Sequence, residues 1–126
     1  MNFSMKENGF SANLPFGTLD VSGNEEYGFR PYQLLITSIA VCSGGVMRKT
    51  LEKMRMPVTD MQIEVKEVVR NDKEANRVEK VHLHFVLEGV IEESRMPRVL
   101  EVTRRNCSMV RSVEASIEVI ETYELK

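Results

Sequence analysis

The stretch PYQLLITSIAVCSGGVMRKTLEKM, residues 31–54, decides the fold. Pro31 opens it, because a fixed φ and a missing N–H suit the first helical turn. Leu35, Ile39, Cys42 and Val46 recur three to four residues apart on one face, and Leu34, Ala40 and Val41 widen that face. The pattern continues through Met47, Leu51 and Met54, and Pro57 ends it. A helix of about 24 residues is about 36 Å long, more than a small core needs. It is therefore expected to run through the centre of the fold. Gly44 and Gly45 lie inside it and cost about 1 kcal/mol each in helix propensity. A kink, or close approach by another backbone, is the expected compensation.

Before this helix, Phe10, Ala12 and Leu14 alternate with Ser11 and Asn13, and Leu19 and Val21 flank Asp20. With Gly9, Gly17, Gly23 and Gly28 as punctuation, this predicts two short strands joined by turns. The segment SGNEEYGF, residues 22–29, reads as a loop. After the helix, Ile63, Val65, Glu67 and Val69 alternate with Gln62, Glu64 and Lys66 over residues 58–70. Over residues 78–90, Val81, Leu83, Phe85 and Leu87 alternate with Lys80, His82, His84 and Glu88. With NDKEAN (71–76) as a polar turn, the two runs predict an antiparallel hairpin with one wet face. Met96, Val99, Leu100, Val102 and Thr103 fit a second helix with Pro97 in its first turn, ending near Asn106. Met109 to Val113 reads as a short helical turn, and Ala115 to Tyr123 as a last strand. The order ββαββαβ describes one α+β domain over residues 1–126, an antiparallel sheet covered by helices.

Composition narrows the class. A chain of 126 residues supports one core, and folding at that size buries about two-thirds of the extended surface. Apolar residues at 42% and charged residues at 29% are an ordinary globular balance. The 17 basic and 19 acidic residues leave a formal charge of −2, which recommends no nucleic-acid partner. The most apolar run, Leu34–Val46, falls short of the roughly 18 residues a membrane span needs, so no membrane partner is expected. The opening MNFSMKENGF lacks the apolar block of a secretory signal. Two cysteines make no disulfide scaffold. A cytoplasmic location is expected, with Cys42 and Cys107 reduced at rest or cycling chemically.

Those cysteines are the sharpest chemical feature. Each reads as a small buried apolar residue, or the two form a redox couple, in which one thiolate is oxidised to a sulfenic acid and the other resolves it. Spacing alone does not choose, because the pair must meet in space. A reactive Cys42 calls for a nearby positive group to depress its pKa. Arg30 precedes it by about 18 Å of helical rise, so it helps only through a folded loop or a neighbouring chain. Arg95, Arg98, Arg104, Arg105 and Arg111 make the region around Cys107 locally basic. A solvated face explains that run, since Glu92, Glu93 and Glu101 interleave and no aromatic stacking pattern accompanies it. His82 and His84, two apart on one strand face, read as an exposed face or, with a cysteine, as part of a metal site.

Three segments carry a resemblance. RPYQLLITSIAVCSGG (30–45) has a helix-start proline, a leucine pair, small residues and then a cysteine; RRNCSMVRSVEASIEV (104–119) has a helix, Asn before Cys, a short turn and a final strand. GFSANLPFGTLDVSG (9–23) is similar to the N-terminal hairpin of the same family. The sequence resembles the OsmC/Ohr superfamily of osmotically inducible and organic-hydroperoxide-resistance proteins over nearly its whole length. The resemblance implies an OsmC-like fold, antiparallel sheets around a long central helix in an intertwined homodimer, with active sites at the subunit interface. It implies a peroxidase in which Cys42 is the peroxidatic thiolate and Cys107 the resolving thiol. Organic hydroperoxides are the implied substrates, dithiols including protein-bound lipoyl groups the reductants, and no metal, flavin or other cofactor is implied. Ile39, Val46 and Met109 are expected to bind the organic tail. One position departs from the family pattern. A Glu after the helix-start proline, which would hold an Arg against the reactive cysteine, is Tyr32 here, and the N-terminal hairpin offers only Lys6. Arg30 is expected to replace that Arg from another direction, and Tyr32 to hydrogen-bond peroxide or thiolate. A non-catalytic relative that binds an apolar ligand or a protein in the same cleft is the alternative reading.

Overall fold

The computed structural model describes residues 1–126, which form two compact units, Met1–Thr37 and Ser38–Lys126. In the first unit, β1 (Ser4–Lys6), β2 (Gly9–Asn13) and β3 (Thr18–Val21) make an antiparallel sheet in that order. The strand β1 is one more than the sequence predicts. All three of its residues are exposed, so it has no apolar face whose alternation could be read. It is held by pairing, Lys6 opposite Gly9 across the two-residue turn Glu7–Asn8. After β3 the loop returns to bond Phe29 N–H to Asp20 O and Ser22 N–H to Phe29 O, and α1 (Pro31–Lys53) begins.

Arg30 caps this helix. Its carbonyl accepts from Leu34 N–H, and its own N–H donates to the Gln33 side chain, half of a capping box. Pro31 takes the first helical position as expected.

The second unit contains the rest of α1 followed by β4 (Val58–Asn71), β5 (Arg77–Gly89), α2 (Met96–Asn106), α3 (Ser108–Val113) and β6 (Glu118–Leu125). The hairpin is antiparallel with β-bulges along β4. However, β6 pairs parallel to β5, so this sheet is mixed. The reason is the crossover: the chain leaves the end of β5, passes through a single 3₁₀ turn, α2 and α3, and re-enters beside the start of β5. The core gathers Val81, Leu83, Phe85 and Leu87 of β5, Ile39, Met47 and Leu51 of α1, Met96 and Val99 of α2, and Val110 of α3. Ile39 is therefore core and not available to line a substrate channel.

By length and composition α1 could also cross a membrane, although only 44% of its apolar window is buried in the chain. The apolar run read from the sequence is shorter than this, because Pro31–Gln33 and the residues after Val46 dilute it without breaking the helix. A buried core helix gives the same signal, and Ile39, Met47 and Leu51 are fully buried.

Two features explain how α1 is seated. A Cβ on Gly44 would stand 2.6 Å from Ile63 Cδ1, so this glycine lets a β4 side chain approach the helix. Nothing lies within 4 Å of that point on Gly45. At its end, Met56 N–H bonds Leu51 O and Arg55 N–H bonds Glu52 O. This is a Schellman motif, with Arg55 in the left-handed region at φ 61°.

Candidate redox site

Cys107 caps α3. Its extended backbone leaves α2 at Asn106, and its sulfur accepts from Val110 N–H at 3.5 Å. This seats a sulfur where Ser, Thr, Asp or Asn is the usual cap. The corner is tied to β6 by Arg104, whose Nη1 donates to Val119 O at 2.7 Å and lies 3.5 Å from Glu121 Oε1. Cys42 lies half-buried on α1, and Cys107 is buried.

The corner and α1 meet through a reciprocal pair of contacts. Cys42 Sγ lies 3.6 Å from Ser108 Oγ, and Ser43 Oγ donates to Cys107 Sγ at 3.4 Å. Each thiol thus faces the serine that follows the other. The two thiols are near enough for each to influence the other's acidity. They are not joined by a disulfide.

The environments pull the two sulfurs apart in acidity. The Met109 amide holds the Cys42 thiol below its ordinary value, opposed by burial and helped by the Ser108 hydroxyl, the Cys107 thiol and the Ser108 amide. Burial pushes the Cys107 thiol up, against the hydrogen bonds from Ser43 and Val110, and neighbouring Cys42 pushes it further. These shifts favour the thiolate at Cys42 and the thiol at Cys107. None of the groups acting on Cys42 is a cation. Backbone amides and a hydroxyl do what the sequence reading assigned to a positive side chain.

Arg30 and Tyr32 belong to the first unit, where the guanidinium lies over the phenol ring, 4.8 Å from its centroid. The sequence reading missed Ser43, Ser108 and the Met109 amide. The signal available for them was the repeated dipeptide Cys-Ser at residues 42–43 and 107–108. Val46 and Met109 are half-buried.

The remaining candidates have structural employment. His82 Nε2 and His84 Nδ1 each lie 2.7 Å from Thr122 Oγ1, and His84 Nε2 lies 3.2 Å from Glu124. No group of three or more His, Cys, Asp or Glu is placed to hold a metal ion. Arg98 and Arg105 pair with Glu101, and Arg111 pairs with Glu114.

Fold and site together define an α+β domain with two neighbouring, unequal thiols, the layout a redox role requires. The chain belongs to the OsmC-like protein family, whose model matches residues 22–122. Solved structures are similar over almost the whole chain. A protein from Aquifex aeolicus VF5 is 24% identical, with 99% of this chain and 93% of that one covered and a TM-score of 0.87. An OsmC-like protein from Mycoplasma pneumoniae is 11% identical, with 98% and 94% covered and a TM-score of 0.86. The organic hydroperoxide resistance protein OhrB of Bacillus subtilis is 12% identical, with 98% of each chain covered and a TM-score of 0.66. No protein of curated function matches the sequence.

Proposed function

We propose that this protein is a thiol-dependent peroxidase that reduces organic hydroperoxides in the cytoplasm, working as a homodimer with residues 1–126 of each chain as one OsmC-like domain. The observation that carries the reading is the crossed contact that brings the two thiols together, Cys42 against Ser108 and Cys107 against Ser43, and the acidities shifted in opposite directions agree with it. In the first step the Cys42 thiolate attacks the peroxide oxygen remote from the organic group. The O–O bond breaks, the sulfur is oxidised to a sulfenic acid and the alcohol leaves. In the second step Cys107 loses its proton and attacks that sulfur, the S–O bond breaks and water is released with formation of the disulfide. A dithiol, of the lipoyl type or another, then reduces the disulfide by exchange.

The test is stopped-flow consumption of cumene hydroperoxide by the pre-reduced protein, with thiol state read by mass. Turnover lost in C42S, and loss of two protons from the wild type on oxidation, are expected. Reaction no faster than that of a free thiol overturns the proposal. The open groove lined by Val41, Gly44, Met61 and Ile63 favours one second reading, a non-catalytic protein that binds an apolar ligand or a partner. An unreactive Cys42 with no oxidised Cys42–Cys107 form is its signature.

A further inference from the structure

We propose that Ser43 drives the resolving step, its buried hydroxyl stabilising the negative charge that Cys107 acquires as it attacks Cys42. This rests on the peroxidase reading and adds a residue to it. Ser43 is 0% exposed, in the middle of α1, and its hydroxyl donates to Cys107 Sγ across the helix–corner contact. A serine in a helix interior ordinarily turns its hydroxyl to solvent or back to the preceding turn. Here it is held against a sulfur instead. The only other donor onto Cys107 is the Val110 amide, which the fold of α3 fixes.

The chemistry explains why such a donor is needed. Cys107 is buried, and burial keeps it protonated. That suits the resting state, in which its S–H can donate to the Cys42 thiolate. Once Cys42 is a sulfenic acid, Cys107 must become a nucleophile in the same dry corner. The proton leaves with the departing hydroxide as water, and the S–S bond replaces the S–O bond. During that transfer, negative charge grows on the sulfur that Ser43 and Val110 face. Ser108 lies on Cys42 and acts on the first step. The crossed arrangement thus gives each step its own hydroxyl.

The experiment separates this proposal from the peroxidase reading by a second oxidant. An aromatic disulfide such as dithiobis(nitrobenzoate) reacts with Cys42 to release one thiolate. Attack of Cys107 on the mixed disulfide then releases a second thiolate and closes the Cys42–Cys107 bond, with no peroxide involved. In S43A the first release should stay within about twofold of wild type. The second should slow by about tenfold or more, the size of a lost hydrogen bond to an ionised group, and its pH dependence should move upward. With cumene hydroperoxide, S43A should accumulate the sulfenic acid, trapped by dimedone. S43A is expected to fold, because alanine is the better helix former, and circular dichroism checks it. S43T keeps the hydroxyl and should hold the second release nearer wild type. A second release in S43A within twofold of wild type, equal slowing of both releases, or an S43T no faster than S43A overturns the assignment. If the aromatic disulfide gives the expected pattern while wild type ignores the peroxide, the role of Ser43 stands and the peroxidase reading fails.

Discussion

Cys42 and Cys107 have the same side chain and are separated by what touches them. Cys42 meets the start of α3 at Ser108, and the Met109 amide with the Ser108 hydroxyl favours its thiolate. Cys107 is fully buried at the corner and its thiol is favoured. The pH dependence follows in sign. The reactive form of Cys42 is the thiolate, so its rate with peroxide falls as pH falls through a value below that of an ordinary thiol. Ser108→Ala removes a hydroxyl that lowers this value, so the inflection should move to higher pH and the rate at neutral pH should drop severalfold. The rate at high pH should change little. Stopped-flow rates across a pH series, in wild type and S108A, check it. An inflection unmoved by S108A would mean the amides and the Cys107 thiol set the acidity.

The elements carry their own tests. The Schellman end of α1 places Arg55 in a left-handed conformation that favours glycine. A side chain there costs about 1–2 kcal/mol, and glycine recovers most of that less its own chain entropy. Arg55→Gly is expected to raise stability by about 0.5–1 kcal/mol, read as a urea midpoint shifted upward with an unchanged slope. On β6, Glu121 stands beside Leu83 on the core side, its side chain only 5% exposed, with one carboxylate oxygen lacking a partner. Burial raises its pKa, and the Arg104 guanidinium only partly opposes this. A raised carboxyl binds its proton more tightly folded than unfolded. Its contribution therefore favours the fold at low pH and is lost as pH rises from the ordinary carboxylate range through the raised value. Glu121→Gln should flatten that decline, and urea titrations at several pH values measure it. The same elements mark what sequence could and could not reveal. The hairpin ends were legible because β5 buries Val81, Leu83, Phe85 and Leu87 on one face. The parallel entry of β6 was not, because strand direction depends on the length and path of a crossover, which periodicity does not record. The two cysteines were legible by type. Their serine partners were present only as the repeated Cys-Ser dipeptide, which does not tell that each serine meets the other cysteine across the fold.

At the scale of the whole molecule, the apolar surface left uncovered is the main fact. In the first unit Phe3, Phe10, Phe16 and Phe29 are exposed, and in the second Val41 of α1 and Val65 of β4 are exposed at 63% and 45%. Beside Val41, Gly44 and Gly45 share an open groove with Met61 and Ile63 of β4. A helix apolar on this many sides needs more cover than one short chain supplies, and a second copy provides it in the proposed homodimer. Charge placed there should be costly, because a carboxylate driven into a dry apolar contact loses its hydration with nothing to replace it. Val41→Glu combined with Val65→Glu is expected to weaken association at least a hundredfold. Both side chains are exposed in the lone chain, so the substitutions should leave its folding intact. Sedimentation velocity at micromolar concentration should then give about twice 14.4 kDa for wild type and that single-chain mass for the variant. Wild type at the single-chain mass would overturn the dimer. A variant that stays paired would move the interface away from this face of α1 and β4.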